Sequence, residues 1–306
     1  MAVNRTTGTT SKVALGEETS AWGTVASSFD KEFGWIQNFK WNSDASMQKL
    51  ADAGTGGINY AANVDGVEVV SGNLEWGVTD GRELEFLMGA ISGSGPYTVT
   101  QSYPLPSLSA KAEYNGETLT ILGLVFSKWS MQLSKDQWVK CNADWIARAW
   151  SYSTATVTPN TPSDDPFMFL DGYVTFGGTA VASLSDITIE CDMKTEMQRG
   201  IENVTSDERR LATGYVSKLQ DISLNMTAEI INQVELNKYL GGTSIQDERA
   251  DATVVLNLTL GSRIIVITLT GVRLGNLGGE LPADGEVRTL DMSGSALGIS
   301  ASITTE

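Results

Sequence analysis

The stretch GNLEWGVTDGRELEFLMGA, residues 72 to 90, runs from strict apolar/polar alternation straight into an amphipathic helical pattern, and a related stretch, ISLNMTAEIINQVELNKYLGG, follows about 150 residues later. Leu74 and Trp76 match Leu224 and Met226, Glu83 and Leu84 match Glu235 and Leu236, and Leu87-Met88-Gly89 match Tyr239-Leu240-Gly241. A chain that writes one strand-and-helix unit twice is constrained to fold as two similar units, because the same pattern of buried faces must be satisfied twice.

Other segments keep the same order in both halves. DASMQ (44–48) corresponds to DMKTEMQ (192–198), and GLVFSKWSMQLSKDQWV (123–139) corresponds without a gap to GVRLGNLGGELPADGEV (271–287). Between them STATVTPNTPSDDP (153–166) holds three of the seven prolines and almost no large apolar residue, the composition of a connector. The expected organisation is an amino-terminal arm over 1–33, a first β unit over 34–152, the connector over 153–166 and a second β unit over 167–306. With 306 residues, each unit is long enough to bury its own core.

Within the units the side-chain period is two. Phe39 and Trp41 alternate with Asn38, Lys40 and Asn42, and Leu74, Trp76 and Val78 alternate with Ser71, Asn73 and Glu75. In the second unit Ile187, Ile189 and Cys191 oppose Asp186, Thr188, Glu190 and Asp192, while Ile222, Leu224 and Met226 oppose Asp221, Ser223 and Asn225. One face of each sheet is therefore dry and the other wet. In DGRELEFLMGAI the residues Leu84, Leu87, Met88 and Ile91 form one apolar stripe with Asp80 as its N-cap, a short helix that closes one side of a β-sandwich. The fold class is mainly β, two tandem sandwich or barrel units each with a short flanking helix.

Composition excludes most chemistry. There is no histidine, so His-based proton relays and the commonest transition-metal ligand are absent. The two cysteines, Cys141 and Cys191, fall at dry-face positions and read as buried free thiols, too few for a zinc site. No phosphate-cradling loop, nucleophile elbow or calcium-loop spacing occurs, and no pair of carboxylates is singled out for acid–base work. Neither an enzyme nor a cofactor or metal site is expected. A net charge of -16 opposes nonspecific binding of phosphate backbones. No apolar run reaches membrane-spanning length and the amino terminus lacks a signal-peptide centre, as expected of a soluble protein made in a cytoplasm.

The duplicated unit, together with VALGEETSAWGT (13–24) and FLDGYVTFGGTAVASLSDITIECD (169–192), resembles the tail tube proteins of long-tailed bacterial and archaeal viruses, in their two-repeat kind. That resemblance implies a fold related to the type VI secretion tube, and a virion structural subunit assembled in the host cytoplasm. It further implies rings, trimeric with pseudo-sixfold symmetry for a two-unit chain, that stack into a conduit through which DNA passes without specific binding. Implied partners are other copies of itself, the terminator, the tape measure and, for a contractile tail, a sheath.

On that reading the candidate lumen residues are Asn38, Asn42, Ser71, Asn73, Glu75, Asp186, Thr188, Glu190, Asp221, Ser223 and Asn225, with Lys40 departing from the pattern. Parity alone equally allows these faces to meet outside water. The long loops 43–66 and 192–214 are candidates for ring stacking through Asp44, Lys49, Asp52, Asp65, Arg199, Glu202, Asp207, Arg209 and Arg210. Trp22 and Phe33 of the arm are candidates for partner contact, with the alternative that Trp22 plugs its own core. Two alternatives stand beside the tube. One is a related tail part, a terminator or baseplate hub. The other is a tandem sandwich that presents Trp35, Trp129 and Trp138 to a carbohydrate or receptor.

Overall fold

The structure is a computed structural model and describes residues 12–50, 62–114, 116–181, 184–199, 211–218, 220–229, 251–279 and 289–305. In chain order the first half contributes β1 (Lys12–Glu17), β2 (Trp35–Leu50), β3 (Ala62–Gly77), α1 (Leu84–Met88), β4 (Gly89–Ser92), β5 (Tyr97–Gln101), β6 (Leu108–Tyr114), β7 (Glu117–Ser134), β8 (Lys140–Ala147) and β9 (Ala149–Ser153). The second half contributes β10 (Gly172–Phe176), β11 (Thr179–Ala180), β12 (Leu184–Asp192), β13 (Glu196–Gln198), β14 (Gly214–Val216), β15 (Asp221–Glu229), β16 (Ala252–Leu260), β17 (Arg263–Gly279), β18 (Thr289–Ala296) and β19 (Gly298–Thr304). The chain is mainly β, and every named strand pairing is antiparallel.

Two strands, β7 and β17, organise the layers because each belongs to two sheets. The first part of β7 lies between β6 and β9, and its last part lies between β8 and β12. β17 does the same, first between β16 and β19 and then against β18. Each strand changes sheet at a glycine in the left-handed region, Gly123 at φ 68° and Gly271 at φ 62°. An unpaired residue follows four positions later in each, Ser127 and Gly275, and such a bulge bends the strand and increases its twist.

One continuous sheet results, in the spatial order β2, β3, β8, β7, β12, β15, β18, β17. Behind it lie β1, β6, β7 and β9 of the first half, and β10, β16, β17 and β19 of the second, extended by β5 and β4 of the first. Between the layers Leu74, Trp76, Phe126, Trp129, Met131, Cys141 and Trp145 are buried on one side and Ile187, Ile189, Leu224, Leu256, Ile265 and Ile267 on the other. Both cysteines are buried and free, and burial pushes the Cys191 thiol up to about 12.

Strand by strand the halves run in the same order: β1, β6, β7, β8, β3, β2 against β10, β16, β17, β18, β15, β12. Counting pairs outward from the two bulges sets Trp145 with Gly294, Gly72 with Leu224 and Asp44 with Asp192. The match of Leu74 to Leu224 read from the sequence is thus two residues out of register, although it keeps the correct face. The reason is an exchange of bulk. In the first half Trp145 covers a bare Gly72, where an added Cβ would lie 2.2 Å from the indole; in the second, Leu224 stands opposite Gly294.

Three further expectations change in detail. The helix is only five residues, ends at the left-handed Gly89, and leaves Ile91 in β4. Its N-cap is Glu83 rather than Asp80, which instead accepts the Arg82 N–H at 2.9 Å and pairs with the Arg82 guanidinium. Glu83 turns inward, fully buried, and accepts from Trp76 Nε1 at 3.0 Å; burial, with the Asp80 charge second, pushes its carboxyl up to about 8. The proline-rich segment 153–166 is strapped down along the molecule: Val157 is buried, Asn160 donates to Asp30 O, Asp164 O accepts from Trp35 Nε1, and Asp165 O accepts from Arg263. The arm's apolar groups are likewise taken up by their own chain. Phe33 lies in the core against Trp76, Phe86 and Phe126, and Trp22 donates to Gly123 O and packs at a tilt against Tyr215. Phe33 is 1% exposed.

Candidate functional surface

The eight-strand sheet has one apolar face turned into the core and one polar face turned out. Antiparallel partners share a face, so the register assigns every residue. Asn38 stands opposite Glu75, Lys40 opposite Asn73 and Asn42 opposite Ser71; Glu75 and Asn73 then stand opposite Asn142 and Asp144. Across the middle, Lys128, Ser130, Gln132 and Ser134 stand opposite Asp192, Glu190, Thr188 and Asp186, and these opposite Asp221, Ser223, Asn225 and Thr227. All eleven residues singled out by parity, from Asn38 to Asn225, thus lie on one face of one sheet, and each is exposed or half-buried.

Side chains on this face bond mainly to one another. Asn73 donates to Asn142 and, at 2.8 Å, to Asp144; Thr227 donates to Asp291 at 2.8 Å; Ser134 bonds Asp186; Lys128 pairs with Glu190 at 3.2 Å. Carboxylates at Asp44, Glu75, Asp144, Asp186, Glu190, Asp192, Asp221 and Asp291 outnumber the cations Lys40, Lys128, Lys140 and Arg273, and Arg273 is itself paired with Asp251. The face is a polar, acid-biased sheet, and among the described residues it holds no clustered cations for a phosphate backbone. Among the described residues no cluster of His, Cys, Asp and Glu is arranged to hold a metal ion, and no helix is long and apolar enough to cross a membrane.

Sequence reasoning missed much of this surface. Lys128, Ser130, Gln132 and Ser134 of β7, Lys140, Asn142 and Asp144 of β8, Asp291, Ser293 and Ser295 of β18 and Arg273 of β17 also lie on it, and in β7 and β8 their alternation with Trp129, Met131, Leu133, Cys141 and Ala143 carries the same period-two signal. Sequence also offered nothing for the two seams between the halves, β7 with β12 and β5 with β19.

The loop candidates divide. Asp44 sits exposed on β2. Lys49 and Asp65 belong to the long β2–β3 ladder, and Arg199 donates to Glu68 O at 3.4 Å. Asp52, Glu202, Asp207, Arg209 and Arg210 lie outside the described residues. The described flanks of the second loop form the β13–β14 hairpin, which folds back on the first half: Tyr215 donates to Leu105 O and Thr195 to Phe126 O. Of the tryptophans considered as sugar platforms, Trp129 is buried, whereas Trp35 and Trp138 are partly exposed.

Compared with known families, the sequence matches the one described as phage tail tube protein over residues 8–300. A search of curated proteins finds no match.

Proposed function

This chain belongs to the phage tail tube protein family, a structural component of the virion tail and not an enzyme, and we propose that it closes into rings by repeating between copies the seam it makes within itself. The observation that carries this reading is the β7–β12 pairing. There the last polar-face strand of the first half pairs with the first polar-face strand of the second, Lys128 opposite Asp192 through Ser134 opposite Asp186. The same two kinds of strand stand at the ends of the sheet: among the described residues β2 ladders only with β3, and at the other end the last part of β17 ladders with β18. Unpaired strand edges are templates for pairing, and a head-to-tail contact that closes forms a ring.

In this reading the chain is two versions of one unit, and three chains supply six unit positions around a trimeric, pseudo-sixfold ring. The polar faces then line one bore, including the candidate residues named above. Its acid bias and its internally satisfied hydrogen bonds leave DNA free to pass, because phosphates gain no exchange of counterions for protein cations. The long β2–β3 hairpin extends beyond the sheet and carries Asp44, Lys49 and Asp65 toward a stacked ring.

Electron microscopy of the purified protein tests this. The expected particles are rings with three strong and three weak modulations that stack into tubes. A protein that stays monomeric at every concentration, or rings of any other symmetry, overturns the proposal.

A further inference from the structure

At the open end of the first half, Trp41 of β2 and Trp150 and Tyr152 of β9 form a cluster with ring centroids 5.3 to 6.1 Å apart. Trp150 Nε1 donates to Ser43 Oγ at 3.0 Å and to Glu68 Oε1, which fixes the indole in place. Tyr152 is 52% exposed, and both indoles are only half-buried.

The second half shows what such a position becomes when it is covered. Trp150 stands opposite Ile121, two residues before Gly123, and Ile299 stands opposite Leu269, two residues before Gly271. By the same count Tyr152 corresponds to Ala301 and, through Gly72 and Leu224, Trp41 corresponds to Ile189. Ile189, Ile299 and Ala301 are 1%, 5% and 3% exposed. The cause is the strands' neighbours. β12 is bonded to β15 and β7, and β19 to β17 and β5, so the first half covers the outer edge of both. Among the described residues β2 has only β3, and β9 only β7.

We infer that the Trp41–Trp150–Tyr152 cluster is the anchor on which a second copy of this chain seats its second half. The inference rests on the ring reading and adds to it the residues that hold the contact. Large amphipathic rings are enriched among the side chains that carry most of an interface's affinity, and here they stand where the second half has the aliphatic residues of a contact made within one chain. The second copy is favoured over an unrelated partner because the chain already contains this contact once, and β2 and β9 lie free side by side as β12 and β19 lie covered.

Two measurements on the full-length protein test it together: sedimentation velocity across a concentration series, and amide hydrogen exchange below and above the assembly concentration. Assembly of the wild type is expected to protect the amides of β2 and β9. Tyr152→Ser, which leaves the fold unchanged because the ring is exposed, is expected to weaken association about tenfold or more, and Trp41→Leu with Trp150→Leu to abolish it with the monomer still folded. If the wild type assembles while β9 keeps exchanging and Tyr152→Ser associates normally, the anchor is wrong and the ring reading stands. Failure of the wild type to assemble overturns both. Protection of β9 only when another tail component is added overturns the second copy as its occupant.

Discussion

β2 and β12 hold the same place in the two halves and have opposite surroundings. Each is the first strand of the polar-faced sheet, and each pairs through one edge with the next strand of its half. β12 is also paired through its other edge with β7, and its dry-face residues Ile187, Ile189 and Cys191 are sealed. Among the described residues β2 has no strand on that edge, and its dry-face residues Phe39 and Trp41 are half-buried aromatics. The difference does not arise from intrinsic strand preference, since both alternate equally well. It arises from the neighbour each strand has within the chain, and it teaches that burial here is a property of which strands the fold sets side by side as much as of sequence.

The sharpest way to break this comparison is to place a charge at the two equivalent sites. Ile189→Asp buries an unpaired carboxylate and is expected to cost about 4 kcal/mol or more, enough to unfold the chain, whereas Trp41→Asp is expected to cost less than about 2 kcal/mol in the monomer. Urea unfolding of both variants reads the difference, and equal losses would show that the two strands are equally enclosed.

A second test uses Glu83, buried beside Trp76 in the first half. Its carboxyl is raised from 4.5 to about 8, so in that window the folded state holds a proton that the unfolded state releases. Stability is then greatest near the lower end, falls as pH rises through about 8, and is flat above it, a change of roughly 3–5 kcal/mol for a shift of that size. Glu83→Gln removes this slope, and whatever slope persists in thermal melts from pH 5 to 9 belongs to other groups, including those of the second half.

Gly123 and Gly271 offer a finer contrast at the two sheet-changing bends. Alanine at either must hold a positive φ, but at Gly123 its Cβ would meet Trp22 Nε1 and Arg148 Cβ at 2.9 Å. At Gly271 it would meet the side chain of Leu297, which is 82% exposed and free to swing away. Gly123→Ala is expected to cost roughly 2–3 kcal/mol and Gly271→Ala about 1 kcal/mol, measured by chemical denaturation. Smallest of all is Lys128→Gln, which removes the exposed ion pair with Glu190 across the internal seam. The loss is expected to stay below about 1 kcal/mol and to vanish in high salt; a larger loss would mean that charge, not backbone pairing and burial, holds the halves together.

Much of the fold was legible because a period of two survives any register. Within each strand the wet residues were told from the dry ones although Leu74 and Leu224 were matched two residues apart, since a shift of two preserves the face. What was not legible depends on contacts between residues far apart in the chain. No local pattern says that Trp145 covers Gly72 while Leu224 faces Gly294, that Glu83 rather than Asp80 caps the helix, or that Phe33 of the arm enters the core. The β7–β12 and β5–β19 seams were hidden for the same reason: any alternating strand satisfies any other, so pairing partners leave no mark on either one.

The amino acids by themselves determined a mainly β chain, written in two similar passages, acidic, without histidine, with dry and wet strand faces already assigned; these follow from local period and composition, which act without reference to distant residues. Only the tertiary structure decided that the wet faces join into one eight-strand sheet, and that one set of strand edges is sealed inside the chain while its counterpart has no strand beside it among the described residues. That decision belongs to long-range pairing, where geometry and the order of neighbours select among strands that local preference cannot tell apart.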